Sequence, residues 1–337
     1  MRIRQGSRPG VTLVEVLAAI FIMGVGMLAV LVLYPLGALR MAAALKDGRC
    51  GVIAANVDSI SSMFDLRDDP AVTPYFAAGY TPPGYAPADP LGRGYPVLVD
   101  PYYALSGYGT IGTSSGSPGI PRVTPKFVRT ALGPLIQRQD CERWFTFLDD
   151  LTFDPDGSPK VAGAALERQW KYTWSCLLKR FRAGDPQTTE LTVVVYRGRP
   201  ISQPVPEETY QVPGPRLQPG YAEPNVGDTS IVVRWPVAGP APFTPQEKPA
   251  LRRGAWVLDT TYKLRSQVGG AGYGYVHAEF YKVLQTSEEP GYYDPETQIS
   301  YSQMRLDIQP PLRDANVSQL TVLEGAVEVF ERGNGRK

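Results

Sequence analysis

The chain has 337 residues, enough for a membrane segment plus one or two folded domains with a real core. Its 34 basic and 33 acidic side chains leave a net charge of +1 with no basic stripe, so composition gives no sign of a nucleic-acid partner. The single histidine, His277, excludes a multi-histidine metal site and makes any hydrolytic triad depend on that one residue. Three cysteines, Cys50, Cys141 and Cys176, with no CxxC pair, are not a disulfide framework. Cys141 and Cys176 fall in or beside strand-like segments and are a candidate pair for one disulfide in an oxidising compartment; the alternative is two buried thiols.

The N-terminus is the most informative stretch. Arg2, Arg4 and Arg8 precede Gly10, and the 29 residues from Val11 to Leu39 then carry one charged side chain, Glu15. Hydrophobicity starts abruptly after Gly10, without a polar cap. The uncharged run Val16 to Leu39 spans 24 residues. A bilayer-spanning helix needs about 20, and the apolar core of a signal peptide has only about 7–15. No A-x-A-type cleavage site follows. Arginines in front, and none for 24 residues behind, put the N-terminus in the cytoplasm and the bulk of the chain on the far side of a single membrane segment. An acid inside such a segment costs a few kcal/mol at the bilayer centre, so it calls for a role and a partner.

The order Gly10-Val11-Thr12-Leu13-Val14-Glu15, behind a short basic leader and ahead of a long apolar run, resembles the N-terminal motif of type IV pilin-like proteins. That family comprises type IV prepilins and the pseudopilins of type II secretion. The resemblance covers about residues 1–40. It implies that a prepilin peptidase cuts after Gly10 and methylates the new amine of Val11. It further implies that the helix stays in the bacterial inner membrane with a periplasmic ectodomain until the subunit joins a pilus or pseudopilus. The family usually has phenylalanine where this chain has Val11, a departure that bears on the modified residue rather than on the cut. Physics supports the pattern. Cutting at Gly10 removes the three arginines and creates an ammonium. Glu15 of one subunit can then pair with the Val11 amine of a neighbour, and this salt bridge sets the axial register, because other staggers leave both charges unpaired. The implied partners are the peptidase, other pilin or pseudopilin subunits through the N-terminal helix, and the inner membrane. The rival is a single-pass anchored extracytoplasmic binding protein or enzyme whose helix is only a tether.

Pro35 falls inside the apolar run and is expected to kink or locally unwind the helix. After Arg40 the pattern turns amphipathic, with Ile53, Val57, Ile60 and Phe64 at helical spacing. The helix is expected over 11–66, with 11–39 transmembrane, stopped by Asp69-Pro70; Asp47-Gly48 is a point where it could break in two. Residues 67–126 read as a long loop. Positions 70–126 hold 11 prolines, 9 glycines and 7 tyrosines, which argues against regular structure.

From 127 to 337 the chain reads as mainly β. The clearest hairpin pairs Gln169–Arg182 with Glu190–Arg197, with Leu191, Val193 and Val195 on one face. Further strands are expected at Trp144–Leu148, Ser230–Trp235, Ala255–Tyr262, Tyr275–Leu284, Ser302–Ile308 and Leu320–Phe330. Gly269–Gly274 reads as a flexible hairpin tip, and Pro200–Pro224, with seven prolines, as an irregular insertion. The fold class is α+β: a long N-terminal helix packed on an antiparallel sheet ectodomain with long Pro/Gly-rich loops, after a leader at 1–10.

No residues form a convincing catalytic constellation, and no cofactor is indicated. His277 reads as a mid-strand structural residue. Asp154-x-Asp156-Gly157 has the opening of a calcium loop but lacks the glutamate at loop spacing. An acidic turn is the plainer alternative, although the resemblance keeps calcium open because some secretion pseudopilins hold it near their C-terminus. Trp144, Trp170, Trp174, Trp235 and Trp256 read as core rather than as a sugar- or peptide-binding face. The large ectodomain suits a minor subunit, whose bulk need not repeat along a fibre.

Overall fold

The computed structural model describes residues 12–77, 79–89, 95–128, 141, 144–162, 165–169, 171–180, 188–199, 207–267 and 270–335. It divides into two compact units, Met1–Val52 and Ile53–Lys337.

The first unit is helical. Helix α1 (Leu13–Met63) enters from it and runs without a break through both Pro35 and Asp47-Gly48, so the helix does not divide at the point where Asp47-Gly48 could have broken it. The described side chains from Thr12 to Leu45 are all exposed, and most of them are Leu, Ile, Val, Ala and Met. An 18-residue stretch of the helix reaches a mean hydropathy of 2.9 with none of it buried. So continuous an exposed apolar surface is unsuited to water and fits hydrocarbon, where a helix satisfies its own backbone.

The second unit takes over at Ile53. Ile53, Ala54, Val57 and Ser61 are buried along one face of the last turns of α1, and Ile60 and Phe64 are half-buried. The helix ends three residues earlier than expected, because Asp65 adopts a left-handed conformation (φ 48°, ψ 49°) that short polar side chains tolerate. A 3₁₀ turn follows at Leu66–Asp68. Asp69 does not stop the helix. Its carboxylate instead accepts the amides of Ala71 at 2.8 Å and Lys126 at 2.6 Å, joining two distant segments.

The segment expected to be a structureless loop is partly regular. It holds helix α2 (Thr73–Phe76), strand β1 (Val97–Val99), helix α3 (Pro101–Leu105), and strands β2 (Thr110–Ile111) and β3 (Ile120–Val123). Trp144–Leu148 is not a strand, apart from one isolated bridge at Thr146. A small hairpin, β4 (Val161–Ala162) and β5 (Ala165–Leu166), precedes the expected hairpin of β6 (Tyr172–Arg180) and β7 (Thr189–Arg197). The insertion before residue 224 contains β8 (Thr209–Gln211), followed by β9 (Ser230–Ala238). The expected strand at 255–262 divides into β10 (Trp256–Asp259) and β11 (Tyr262–Gln267), and the one at 275–284 into β12 (Gly270–Val276) and β13 (Glu279–Asp294). Strands β14 (Ile299–Gln309), β15 (Gln319–Val322) and β16 (Ala326–Gly335) complete the chain.

Two sheets organise these strands. A six-stranded sheet has the order β16-β7-β6-β1-β3-β2, antiparallel except for the β1–β3 pair, which the connection through α3 and β2 makes parallel. A closed antiparallel barrel runs β10-β13-β14-β9-β8-β15. Its interior is filled by side chains including Val233, Trp235, Val257, Tyr281, Val283 and Leu306. A second core lies between sheet and barrel, where Leu98, Ile120, Leu177 and Val194 meet Trp256, Leu258, Phe280 and Leu323.

Strand β6 is therefore covered on both faces, and all nine of its residues are buried. On one face Trp174 stacks on Phe145 at 4.1 Å, and Phe145, Phe127 and Phe64 continue the aromatic column to the end of α1. On the other, Ser175 bonds the Tyr196 hydroxyl at 3.1 Å and Lys179 donates to Glu279 at 2.7 Å. β7 likewise departs from the expected one-face pattern, because Val194 and Tyr196 are buried as fully as Val193 and Val195. Of the expected tip Gly269–Gly274, residues 270–274 lie in strand β12 and Gly269 lies outside the described residues; a side chain at Gly274 would collide with the Tyr262 ring, so glycine lets that ring lie against the strand. Trp174, Trp235 and Trp256 are buried and Trp144 is half-buried; Trp170 lies outside the described residues.

A buried charge cluster closes the sheet end nearest the barrel connection. Arg199 grips Asp100 with two bonds, at 3.1 and 2.5 Å, and approaches Glu207 at 3.5 Å. Arg122 pairs with Glu207 and lies 3.5 Å from Asp100. Both guanidiniums lie over Tyr103, at 4.0 and 4.6 Å. Two cations and two anions cancel, which is the condition for keeping such a cluster dry. Removing one acid leaves an uncompensated guanidinium, so Asp100→Asn is expected to destabilise the second unit by about 3–5 kcal/mol. Urea unfolding followed by tryptophan fluorescence measures this, and an unchanged midpoint would remove the cluster from the list of stabilising contacts.

Candidate functional site: the start of the N-terminal helix

Thr12 stands immediately before α1, and Glu15 lies in its first turn. The Thr12 amide donates to Glu15 Oε2 at 2.9 Å, and the Thr12 hydroxyl donates to the same oxygen at 3.1 Å. In return the Glu15 amide donates to Thr12 Oγ1 at 3.3 Å. This is a capping box, in which the first and fourth residues of Thr-x-x-Glu satisfy each other's backbone donors. It corrects the expectation of an apolar start without a polar cap. The Thr12-Leu13-Val14-Glu15 spacing carried that signal, and the surrounding run of aliphatics obscured it.

The arrangement has chemical consequences. The first amides of a helix lack intrahelical acceptors, a debt that lipid cannot settle. Thr12 and Glu15 supply acceptors for two of them. Thr12 engages one carboxylate oxygen twice and leaves Oε1 without a partner among the described residues. A carboxylate held in a fixed rotamer, with one oxygen uncommitted, is prepared to accept a cation from outside its own helix. Both residues follow Gly10 in the chain, so a cut at that glycine would leave the box intact. Gly10 and Val11 themselves lie outside the described residues. Pro35 sits inside the continuous helix.

The other candidates are placed elsewhere. Cys141 and Cys176 form no disulfide: both are buried thiols, as is Cys50. Cys176 points from β6 into the core, and burial pushes its thiol well above the usual range, with the Asp100 charge adding to the effect. Asp156 accepts the Ser158 hydroxyl at 2.6 Å and its amide at 2.9 Å, and these bonds hold its carboxyl below the usual range. The Gly157 amide donates to the Asp154 carbonyl at 2.9 Å, giving a closed acidic turn. Among the described residues no three His, Cys, Asp or Glu side chains are grouped to hold a metal. His277 is not in mid-strand. It occupies the break between β12 and β13, buried, with Nδ1 2.8 Å from Asp259 Oδ2. Sequence reasoning missed this pair because 18 residues separate its members.

Residues 7–31 match the family described as the prokaryotic N-terminal methylation motif. The matched span contains Gly10, Val11, Thr12 and Glu15, so the start of this chain carries a type IV pilin-like motif. No curated protein and no solved structure matches the chain. The match ends at residue 31, well before the second unit begins at Ile53.

The capping geometry makes a direct prediction. Thr12→Ala removes the helix cap at a cost of about 0.5–2 kcal/mol, whereas Thr12→Ser keeps the hydroxyl and most of the stability. Hydrogen exchange of the first-turn amides in detergent micelles reports the difference. Equal exchange in both variants would show that the box does not hold the turn.

Proposed function

We propose that the chain is a pilin-like precursor, cut after Gly10 by a prepilin peptidase, methylated at Val11, and assembled through α1 into a type IV pilus or a type II secretion pseudopilus. The observation that carries this is Glu15. It is the one acid between Val11 and Leu39, the exposed apolar stretch of α1, anchored through Oε2 and open at Oε1. In the filament a neighbour's Val11 ammonium occupies that open oxygen. The bond neutralises two charges in a low-dielectric core and selects one stagger between helices. Before the cut, the N-terminus faces the cytoplasm with its arginines and the second unit lies in the periplasm. Removing the leader removes the charges that oppose extraction of the helix from the bilayer.

The subunit's role is non-enzymatic and that of a minor component. A sheet and a closed barrel joined by a shared core make a bulky head, and a head of this size fits a place that does not repeat along a fibre. Calcium is not required by this reading.

Two measurements test it. Intact mass of the mature protein should correspond to a chain beginning at Val11 and bearing one added methyl; an intact Met1, or a cut beyond Leu39, would sink the proposal. Glu15→Ala should be processed normally yet fail to enter filaments, whereas undiminished incorporation would count against the register role.

A further inference from the structure

Two features of the second unit take no part in the N-terminal site: an aromatic cleft and an exposed proline loop. The cleft, of about 840 Å³, opens beside α2. Its walls include Pro70, Pro74, Thr81 and Pro83 with the rings of Tyr75 and Tyr80, which meet edge to face at 4.9 Å. Tyr80 also packs on Tyr95 at 5.1 Å, and the Tyr95 hydroxyl donates to the Gly119 carbonyl at 2.8 Å. The hydroxyls of Tyr75 and Tyr80 have no hydrogen-bond partner among the described residues. Burial raises the Tyr80 hydroxyl to about 12, so it stays a donor. Arg122 also lines the cleft but is engaged by Asp100 and Glu207. The described walls hold no carboxylate and no side-chain amide. Flat rings and unspent hydroxyl donors, without an anionic or amide acceptor, suit a ligand rich in carbonyls and poor in N–H groups. A proline-containing extended segment is such a ligand.

The chain itself displays one. After β9 comes Gly239-Pro240-Ala241-Pro242-Phe243-Thr244-Pro245, in which Pro240, Ala241, Pro242, Thr244 and Pro245 are exposed. Three of these seven residues have no N–H. No carbonyl from residue 239 to 245 accepts a hydrogen bond among the described residues. The loop is nevertheless held in shape. The Gln246 amide donates to the Pro236 carbonyl at 2.9 Å, and the Gln246 side chain donates to the Thr209 carbonyl at 3.0 Å. The Phe243 ring packs on Gly239, where an added Cβ would meet it at 2.8 Å. The charges match as well. Lys126 is exposed, and its amide is held by Asp69, the neighbour of Pro70 at one end of the cleft. Glu247 follows Pro245 by two positions and is also exposed. Neither side chain forms an ion pair among the described residues.

We infer that the cleft receives the loop of residues 239–245 from a second copy of this chain, with Pro242 and Pro245 against the Tyr75 and Tyr80 rings, the two hydroxyls donating to the loop's carbonyls, and Glu247 opposite Lys126. Within one copy no residue of the loop lines the cleft, so the contact is between copies. It joins second units and makes no use of the apolar stretch of α1. It therefore stands or falls separately from filament assembly.

A blocked, fluorescently labelled peptide of residues 239–247, titrated against the unmutated full chain in detergent micelles, measures the contact by anisotropy. Binding should be saturable, and the same peptide with alanine in place of Pro242 and Pro245 should not bind. The double variant Tyr75→Phe, Tyr80→Phe keeps both rings and removes both hydroxyls, so affinity should fall roughly tenfold. Lys126→Glu should weaken the native peptide, and the Glu247→Lys peptide should restore binding to that variant. A misfolded protein cannot give that rescue. Photo-crosslinking locates the contact in the whole protein. The variant Thr81→p-benzoylphenylalanine, mixed with ¹⁵N-labelled unmutated chain, should yield a crosslink to residues 239–247 that carries one label of each kind. No saturable binding by the unmutated chain, equal binding of the alanine peptide, failure of the charge exchange, or crosslinks only within one copy or to another segment would each overturn the proposal.

Discussion

Burial of the β6–β7 hairpin from both sides is the constraint on which the second unit depends. A strand with one wet face can place polar residues there at no cost. β6 has no wet face, so a polar side chain on it is costly unless it finds a partner inside the protein. Ser175 finds Tyr196, and Lys179 finds Glu279 across the interface with the barrel. The aromatic column from Phe64 to Trp174 fills the opposite side. The charge cluster of Asp100, Arg122, Arg199 and Glu207 follows from the same geometry. It lies where β1, β3 and the segments flanking β7 and β8 converge, and it stays neutral because its members cancel one another.

The two units answer to different solvents. The first carries its aliphatic side chains outward, as lipid demands, and meets its backbone needs within the helix and its capping box. The second turns its apolar residues into two cores, one inside the barrel and one between barrel and sheet. Glu15 belongs to neither pattern. Thr12 holds the acid at the helix start through one of its two carboxylate oxygens.

A comparable arrangement appears in the second unit at His277. Asp259 satisfies one ring nitrogen, and the His277 and Ala278 amides, bonded to the Thr261 and Asp259 carbonyls, hold Ala278 in its left-handed conformation. In both places a polar group is fixed by local bonds and left with one atom unspent.

Local chemistry was legible in the chain itself. The basic leader, Gly10, Glu15 and the apolar run identified the anchor and its motif, because membrane solvation acts on every residue independently of what lies elsewhere in the chain. The β6–β7 hairpin was visible for a similar reason, since its two strands are neighbours in sequence. Even the Thr12 cap was written in a four-residue spacing. What the sequence could not determine was anything set by distant pairing. Val97–Val99 looks like part of a proline-rich loop, yet it is an inner strand of the sheet because β3 and β6 supply hydrogen bonds on its two sides. The closure of the barrel, the Asp259–His277 pair and the four-charge cluster likewise join residues up to about a hundred positions apart. Residue type decided which segments seek lipid and which seek a core; only the tertiary structure decided which partner each buried polar group would find, because an ion pair or a strand edge has no preference until folding brings its counterpart within reach.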